Sequence, residues 1–157
     1  MSATPTTCQL VVCSLGAEEY ALPIEQVREI VRASEPRPVV SGVPSLRGVI
    51  SLRGRLLPVH DLAARLGVAS AGGEQAKIVV AELGDDELAG LVVDDVVEVV
   101  TVALAQIEEV PDAHPDGRAA RIAKLGERLV AVLDAGQLLT EARPPDAEDP
   151  ERARAAA

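Results

Sequence analysis

The stretch SLRGVISLRGRLLPVHDL, residues 45–62, holds two apolar runs around a glycine turn and then a helix signal. Leu46 to Leu52 and Leu56 to Val59 are the runs, and Arg53, Gly54 and Arg55 separate them. Short apolar runs divided by a glycine read as two strands joined by a turn. Asp61 is placed to cap a short helix over Leu62 to Leu66, with Gly67 as its stop. Arg-Gly occurs twice, at 47–48 and 53–54. An even spacing puts both arginines on one face if the strand is unbroken. One reading makes them solvated arginines beside turn glycines. The other has Arg53 meet a carboxylate, and Glu29 is the candidate, because it fills the polar slot in the run from Val27 to Val31.

The same grammar extends in both directions. Upstream, Gln9 to Leu15 is an apolar strand ending at Gly16. Tyr20, Leu22 and Ile24 then alternate with smaller or polar residues, and Pro23 marks an edge or an end. Three prolines, a glycine and a serine make residues 35–44 a loop. Downstream, Lys77 to Leu83 is a strand before a turn at residues 84–86. Leu88 to Val102 is Val-rich and broken at Asp94 and Asp95. Residues 111–117 form a loop. Two strands follow around Gly126 and Glu127, and Asp134 caps a last short helix. Many short strands and few helical turns predict an all-β barrel architecture.

The order strand, glycine turn, strand, Asp, helix occurs twice. A shift of 69 positions brings Leu22 onto Leu91, Val27 onto Val96 and Glu29 onto Glu98. A shift of 73 brings Leu52 onto Leu125, Val59 onto Val132 and Asp61 onto Asp134. Ordered agreement over both halves indicates an internal repeat. It predicts two related barrels, roughly residues 8–68 and 75–142, that share an apolar interface because modules this small need one. The pattern also allows terminal elements to be exchanged between them. Residues 1–7 and 143–157 read as flexible tails, being small and polar or rich in Pro, charge and Ala.

Composition narrows the function classes. The 157 residues are 48% hydrophobic with a net charge of −10. Such a surface repels phosphate, so nucleic acid and anionic membranes are not the expected partners. One Tyr and no Phe or Trp argue against base stacking as a binding mode. No apolar stretch is long enough to span a membrane, and no leader pattern is visible, so a cytoplasmic protein is expected.

The chemistry-bearing residues do not converge. His60 and Asp61 are neighbours, but adjacent strand residues face opposite ways. His114 falls in a loop between prolines. Cys8 and Cys13 lie five apart in one strand, ~16 Å from each other and on opposite faces. Asp94 and Asp95 read as a bend or cap. No phosphate-binding glycine loop is present. No cofactor, metal or catalytic set is expected.

The segments YALPIEQVREIV (20–31), VPSLRGVISLRGRLLPVHDLAARLG (43–67), AGLVVDDVVEV (89–99) and RLVAVLDAGQLL (128–139) together resemble the CheW-like chemotaxis coupling proteins. They occur in family order over about residues 8 to 141. The resemblance implies two small intertwined five-stranded SH3-like β-barrels with a few short helices. It implies a non-catalytic adaptor joining a CheA-type histidine kinase to the cytoplasmic tip of chemoreceptors. It also implies association with membrane arrays through partners rather than by insertion. Glu29 and Arg53 match the family's functionally sensitive pair. Val27, Gly48 and Gly54 match positions near its receptor-binding surface, where the barrels are expected to meet. Ser51 stands where Asn is common, and His60 where an aliphatic residue is usual. Three alternatives stay open: an adaptor of a pilus-motility or other receptor array, a generic β-barrel interaction module, and an enzyme built on His60 and Asp61.

Overall fold

The computed structural model describes residues 6–84, 86–111 and 120–142. The tail beyond 142, His114 and most of the loop read at 111–117 lie outside the described residues. At the other end, Thr7 already opens the first strand.

The described residues form strands β1 (Thr7–Leu15), β2 (Glu18–Pro23), β3 (Val27–Arg32), β4 (Leu46–Leu52), β5 (Arg55–Asp61), β6 (Lys77–Gly84), β7 (Glu87–Val93), β8 (Asp95–Ala103), β9 (Ile107–Val110), β10 (Ala120–Leu125) and β11 (Arg128–Val132). Helices α1 (Leu62–Leu66) and α2 (Ala135–Ala142) each follow a strand. Asp61 Oδ1 accepts from the Ala64 N–H at 3.2 Å, and Asp134 Oδ1 from the Gln137 N–H at 2.9 Å. Both capping aspartates therefore act at the same offset, as the repeat requires. Pro23 ends β2 and leads into a 3-10 turn at Ile24–Gln26.

Two sheets form. One runs β3-β6-β7-β5-β4 and the other β8-β1-β2-β11-β10-β9. Five strands were expected in each; β9 adds a sixth to the second by pairing antiparallel with β10. Each sheet has one parallel contact, β5 with β7 and β2 with β11, at equivalent places in the repeat. The strands are traded between the halves of the chain. β1 and β2 pair with β8 and β11, whereas β6 and β7 pair with β3 and β5.

Alternation along each strand divides the apolar residues among three cores. Leu57, Val59, Ile78 and Val80 fill the first barrel, with Val31, Ile50 and Val92 packed against them. All five strands of that sheet contribute, so the sheet is curled on itself. Leu10, Val12, Ala21, Val102, Ala123 and Val130 fill the second barrel. The largest cluster lies on the opposite faces of the same strands: Val11, Cys13 and Leu15 from β1, Val79 and Ala81 from β6, Leu91 and Val93 from β7. It joins the barrels, and both helices feed it through Leu62, Leu138 and Leu139. Burying each Val, Leu or Ile of these cores stabilises the fold by about 1.5–3 kcal/mol.

Candidate functional site

Strands β3 and β4 stand at opposite ends of the first barrel's strand order. The β4–β5 hairpin turns on Arg53 (φ 52) and Gly54 (φ 78), with Leu52 opposite Arg55. Two successive positive φ values make the primed turn that matches strand twist. Glycine takes this conformation freely, while Arg53 is a non-glycine residue held there. That turn carries the Arg53 guanidinium back across the open seam. Its Nη1 donates to Glu29 Oε2 on β3 at 2.8 Å. Pairing across adjacent strands is the simplest expectation for such a contact. The two residues stand instead at opposite edges of the hydrogen-bonded order, and curling of the sheet brings them together. Arg53 is 77% exposed at its side chain and Glu29 22%. A pair this wet adds only about 0–1 kcal/mol. What it contributes is a fixed charge pattern at the seam.

The second barrel repeats the device with a different arginine. Glu98, the repeat mate of Glu29, accepts from Arg128 Nη2 at 2.8 Å, and Arg128 also reaches Glu19 at 3.3 Å. Arg128 corresponds to Arg55 rather than to Arg53.

The other expected site residues do not all gather at this seam. Val27 is half-buried and packs against the inter-barrel core. Gly54 sits in the hairpin turn itself. Gly48 lies elsewhere: it is opposite Val59 on edge strand β4, not where the barrels meet. It has φ +148, and a Cβ there would overlap the carbonyl oxygen of Arg37. The close approach that only glycine permits is made by this chain's own 35–44 loop, which bonds back through Arg37 and Val49 at 2.8 and 2.9 Å. Arg47 does not join Arg53 either, because the turn ends the strand between them. Arg47 pairs with Asp61 at 2.9 Å.

The remaining titratable groups take separate roles. His60 Nδ1 is 3.1 Å from the Ser45 hydroxyl, while Asp61 is committed to Ala64 and Arg47. Burial and then the nearby Arg65 charge push His60 below its ordinary value. Cys8 and Cys13 are free, and burial followed by Asp95 pushes the Cys13 thiol up to about 12. Among the described residues, no three His, Cys, Asp or Glu gather as a metal site.

Asp94 does more than the bend or cap that the sequence suggests. It is 8% exposed. Its carboxylate accepts from the Gly16 N–H at 2.6 Å, the Ser70 hydroxyl at 2.5 Å, the Ala71 N–H at 2.7 Å and the Gly72 N–H at 3.0 Å. Burial alone would raise its pKa; these four donors overcome that and hold it at about 2. Asp94 thus pins the β1–β2 turn and the loop after α1 to the start of β8. Asp95 faces elsewhere, 3.6 Å from Lys77.

The fold is thus two strand-exchanging barrels, each with a Glu–Arg bridge. The CheW-like domain profile matches residues 9–143. The chain belongs to the CheW-like domain family. A chemotaxis protein CheW of Bacillus subtilis is 31% identical over 135 residues, covering 83% of this chain and 86% of that protein. CheW of Thermotoga maritima is 29% identical over 133 residues, covering 83% and 87%. The crystal structure of the scaffolding protein TtCheW from Thermoanaerobacter tengcongensis superimposes with a TM-score of 0.77 at 30% identity, covering 88% of this chain and 91% of that one. The mostly-β, two-sheet architecture is that of the CheW scaffold. Among the described residues, no helix is long and apolar enough to cross a membrane.

Proposed function

We propose that this CheW-like chain is a chemotaxis coupling adaptor that joins a CheA-type histidine kinase to the cytoplasmic tip of chemoreceptors. Residues 8–142 act as one domain, and the protein works in the cytoplasm, held at receptor arrays through its partners. It binds without catalysing a reaction, and its ligands are proteins rather than nucleic acid or the lipid bilayer itself. The observation that carries this reading is the exposed Glu29–Arg53 pair, 2.8 Å apart, on a body that resembles a CheW scaffold almost end to end. Glu29 and Arg53 present charge to a partner, Val27 borders the inter-barrel core, and Gly48 and Gly54 hold the backbone shapes around them.

The test is binding of the purified chain to a CheA-type kinase and to a receptor cytoplasmic fragment. Arg53→Ala is expected to weaken at least one of these while changing stability by no more than about 1 kcal/mol, since the lost pair is exposed. Glu29→Ala should behave alike, and the double variant no worse than either single one. Normal binding of both partners by Arg53→Ala would overturn the assignment of the pair.

A further inference from the structure

Two contacts cross the gap between the β3 side and the β4 side of the first barrel, and they differ in kind. One is the Glu29–Arg53 ion pair at 2.8 Å. The other is an isolated antiparallel backbone pair. The Arg37 N–H donates to the Val49 carbonyl at 2.8 Å, and the Val49 N–H donates to the Arg37 carbonyl at 2.9 Å. β3 and β4 share no ladder between these crossings, since they close opposite ends of the strand order. The spacing shows that the wall is slack there. Four steps lead back along β4 from Arg53 to Val49, and an unbroken antiparallel partner would run four steps from Glu29 to Ala33. Val49 meets Arg37 instead, so four residues are to spare between the crossings.

Residues 33–45 thus form a strap. Its ends are tied, the Ala33 N–H donating to the Ala76 carbonyl at 3.1 Å and the Asp61 N–H to the Ser45 carbonyl at 2.7 Å. Pro36 is buried, but Val39 is 44% exposed and Val40 wholly so. The second barrel is built differently at the same place. Val49 has Ile122 as its repeat mate at a shift of 73, and Ile122 pairs with Glu108 in the middle of β9. A strand with four paired residues closes the second barrel where the first has one backbone pair. Alternation also gives β4 two unlike amides. That of Val49 faces the strap, while that of Ile50 faces β5, opposite Leu57. The strap can therefore leave β4 without breaking the β4–β5 ladder.

We propose that the strap is a movable closure of the first barrel, and that the Glu29–Arg53 pair is its catch, released when an acidic group of a partner draws the Arg53 guanidinium off Glu29. The ion pair and the strap restrain the same two edges. With the pair made, β3 and β4 are held at short range and the strap spans a fixed gap. With it broken, the edges part more freely, and the Arg37–Val49 pair must close against a looser loop. The pair suits a catch because it is weak. The Arg53 side chain is 77% exposed, so a partner carboxylate meets little resistance in competing for it. The Glu98–Arg128 pair of the second barrel has no such strap to release, because β9 is held to β10 along its length.

This inference rests on the reading of Arg53 as a partner contact and adds what that contact does to the barrel. The test is amide hydrogen exchange of the full chain, followed residue by residue by NMR. In the wild type Val49 should exchange faster than Ile50, because the strap opens while the ladder with β5 stays closed. Arg53→Ala should quicken Val49 exchange about twofold to fivefold, the range open to an exposed pair, and leave Ile50 unchanged. Added salt should quicken Val49 in the wild type but not in Arg53→Ala. Arg128→Ala, which breaks the matching pair of the second barrel, should alter neither amide. Binding of the kinase or receptor fragment whose affinity Arg53→Ala lowers should also quicken Val49. Equal rates for Val49 and Ile50 in the wild type, or a Val49 rate that ignores Arg53→Ala, would overturn the catch. A bound partner that leaves Val49 unchanged or slows it overturns the release while the coupling reading stands. If neither partner binds, the coupling reading falls and the partner-driven release with it.

Discussion

Replacing Asp94 by Ala removes one carboxylate and strands four donors drawn from two segments distant in sequence. The cost can be worked in two ways. A hydrogen bond to a charged group is worth about 1.5–3 kcal/mol, but Ser70, Ala71 and Gly72 lie on an exposed loop and can turn to water, so the full sum is not lost. About 2–4 kcal/mol is the expected loss. The second route is linkage. Holding the carboxyl at about 2 rather than 3.8 corresponds to roughly 2–3 kcal/mol, at about 1.4 kcal/mol per pH unit. The two routes agree, and for a chain of this size they predict a fall in Tm of roughly 5–10 °C. The pH dependence has a definite sign. A carboxyl depressed on folding gives its full stabilisation above pH about 4–5 and loses it as pH falls through 3.8 toward 2. Urea denaturation of wild type and Asp94→Ala between pH 7 and pH 2 should therefore show a gap that closes on acidification. A gap below about 0.5 kcal/mol at pH 7, or one that stays constant to pH 2, would refute the role given to Asp94.

Other substitutions test the packing around the seam. Gly48→Ala must displace the Arg37 carbonyl and also strain a backbone at φ +148, so it should cost about 2–4 kcal/mol and expose the 35–44 loop to proteolysis. An unchanged Tm would show that the loop is not held there. Gly90→Ala would bring a Cβ to 2.7 Å from Ile78 Cγ2 and 3.3 Å from Leu57 Cδ2 inside the first barrel. A loss of about 1–3 kcal/mol in chemical denaturation is expected, and a stabilised variant would mean the barrel holds unfilled space. His60 is kept neutral by burial, so the unfolded chain takes its proton first as pH drops below 6.5. Stability should fall between pH 7 and the depressed folded value, and His60→Gln should flatten that stretch of the curve.

Local features were legible in the sequence where their cause is local. The glycine turn at residues 53–54, the capping aspartates and the Gly67 stop depend on a few consecutive residues and appear where they were read. The polar slot of Glu29 in an apolar run also pointed to a pairing with Arg53, which the structure has at 2.8 Å, since an acid amid apolar residues needs an outlet. The partnership of β1 with β8 was not legible. Val-rich runs pair equally well with one another, and periodicity does not say which will meet across about ninety residues. Asp94 escaped for the same reason, because its donors lie 22 to 78 positions away. Gly48 looked like a place for a partner to approach, and only the path of residues 35–38 shows that the chain itself takes that place.

The trading of strands also bears on where such a chain can have come from and how it can be divided. A cut in the loop after Gly67 would leave β1 to β5 on one fragment and β6 to β11 on the other. Neither fragment holds all the strands of either sheet, so neither closes a barrel alone. Mixed together, each would supply the other's missing pair. That is the connectivity of a swapped homodimer whose two copies were joined end to end by gene duplication. The two halves act as mutual templates, and a split version should regain its fold only by complementation.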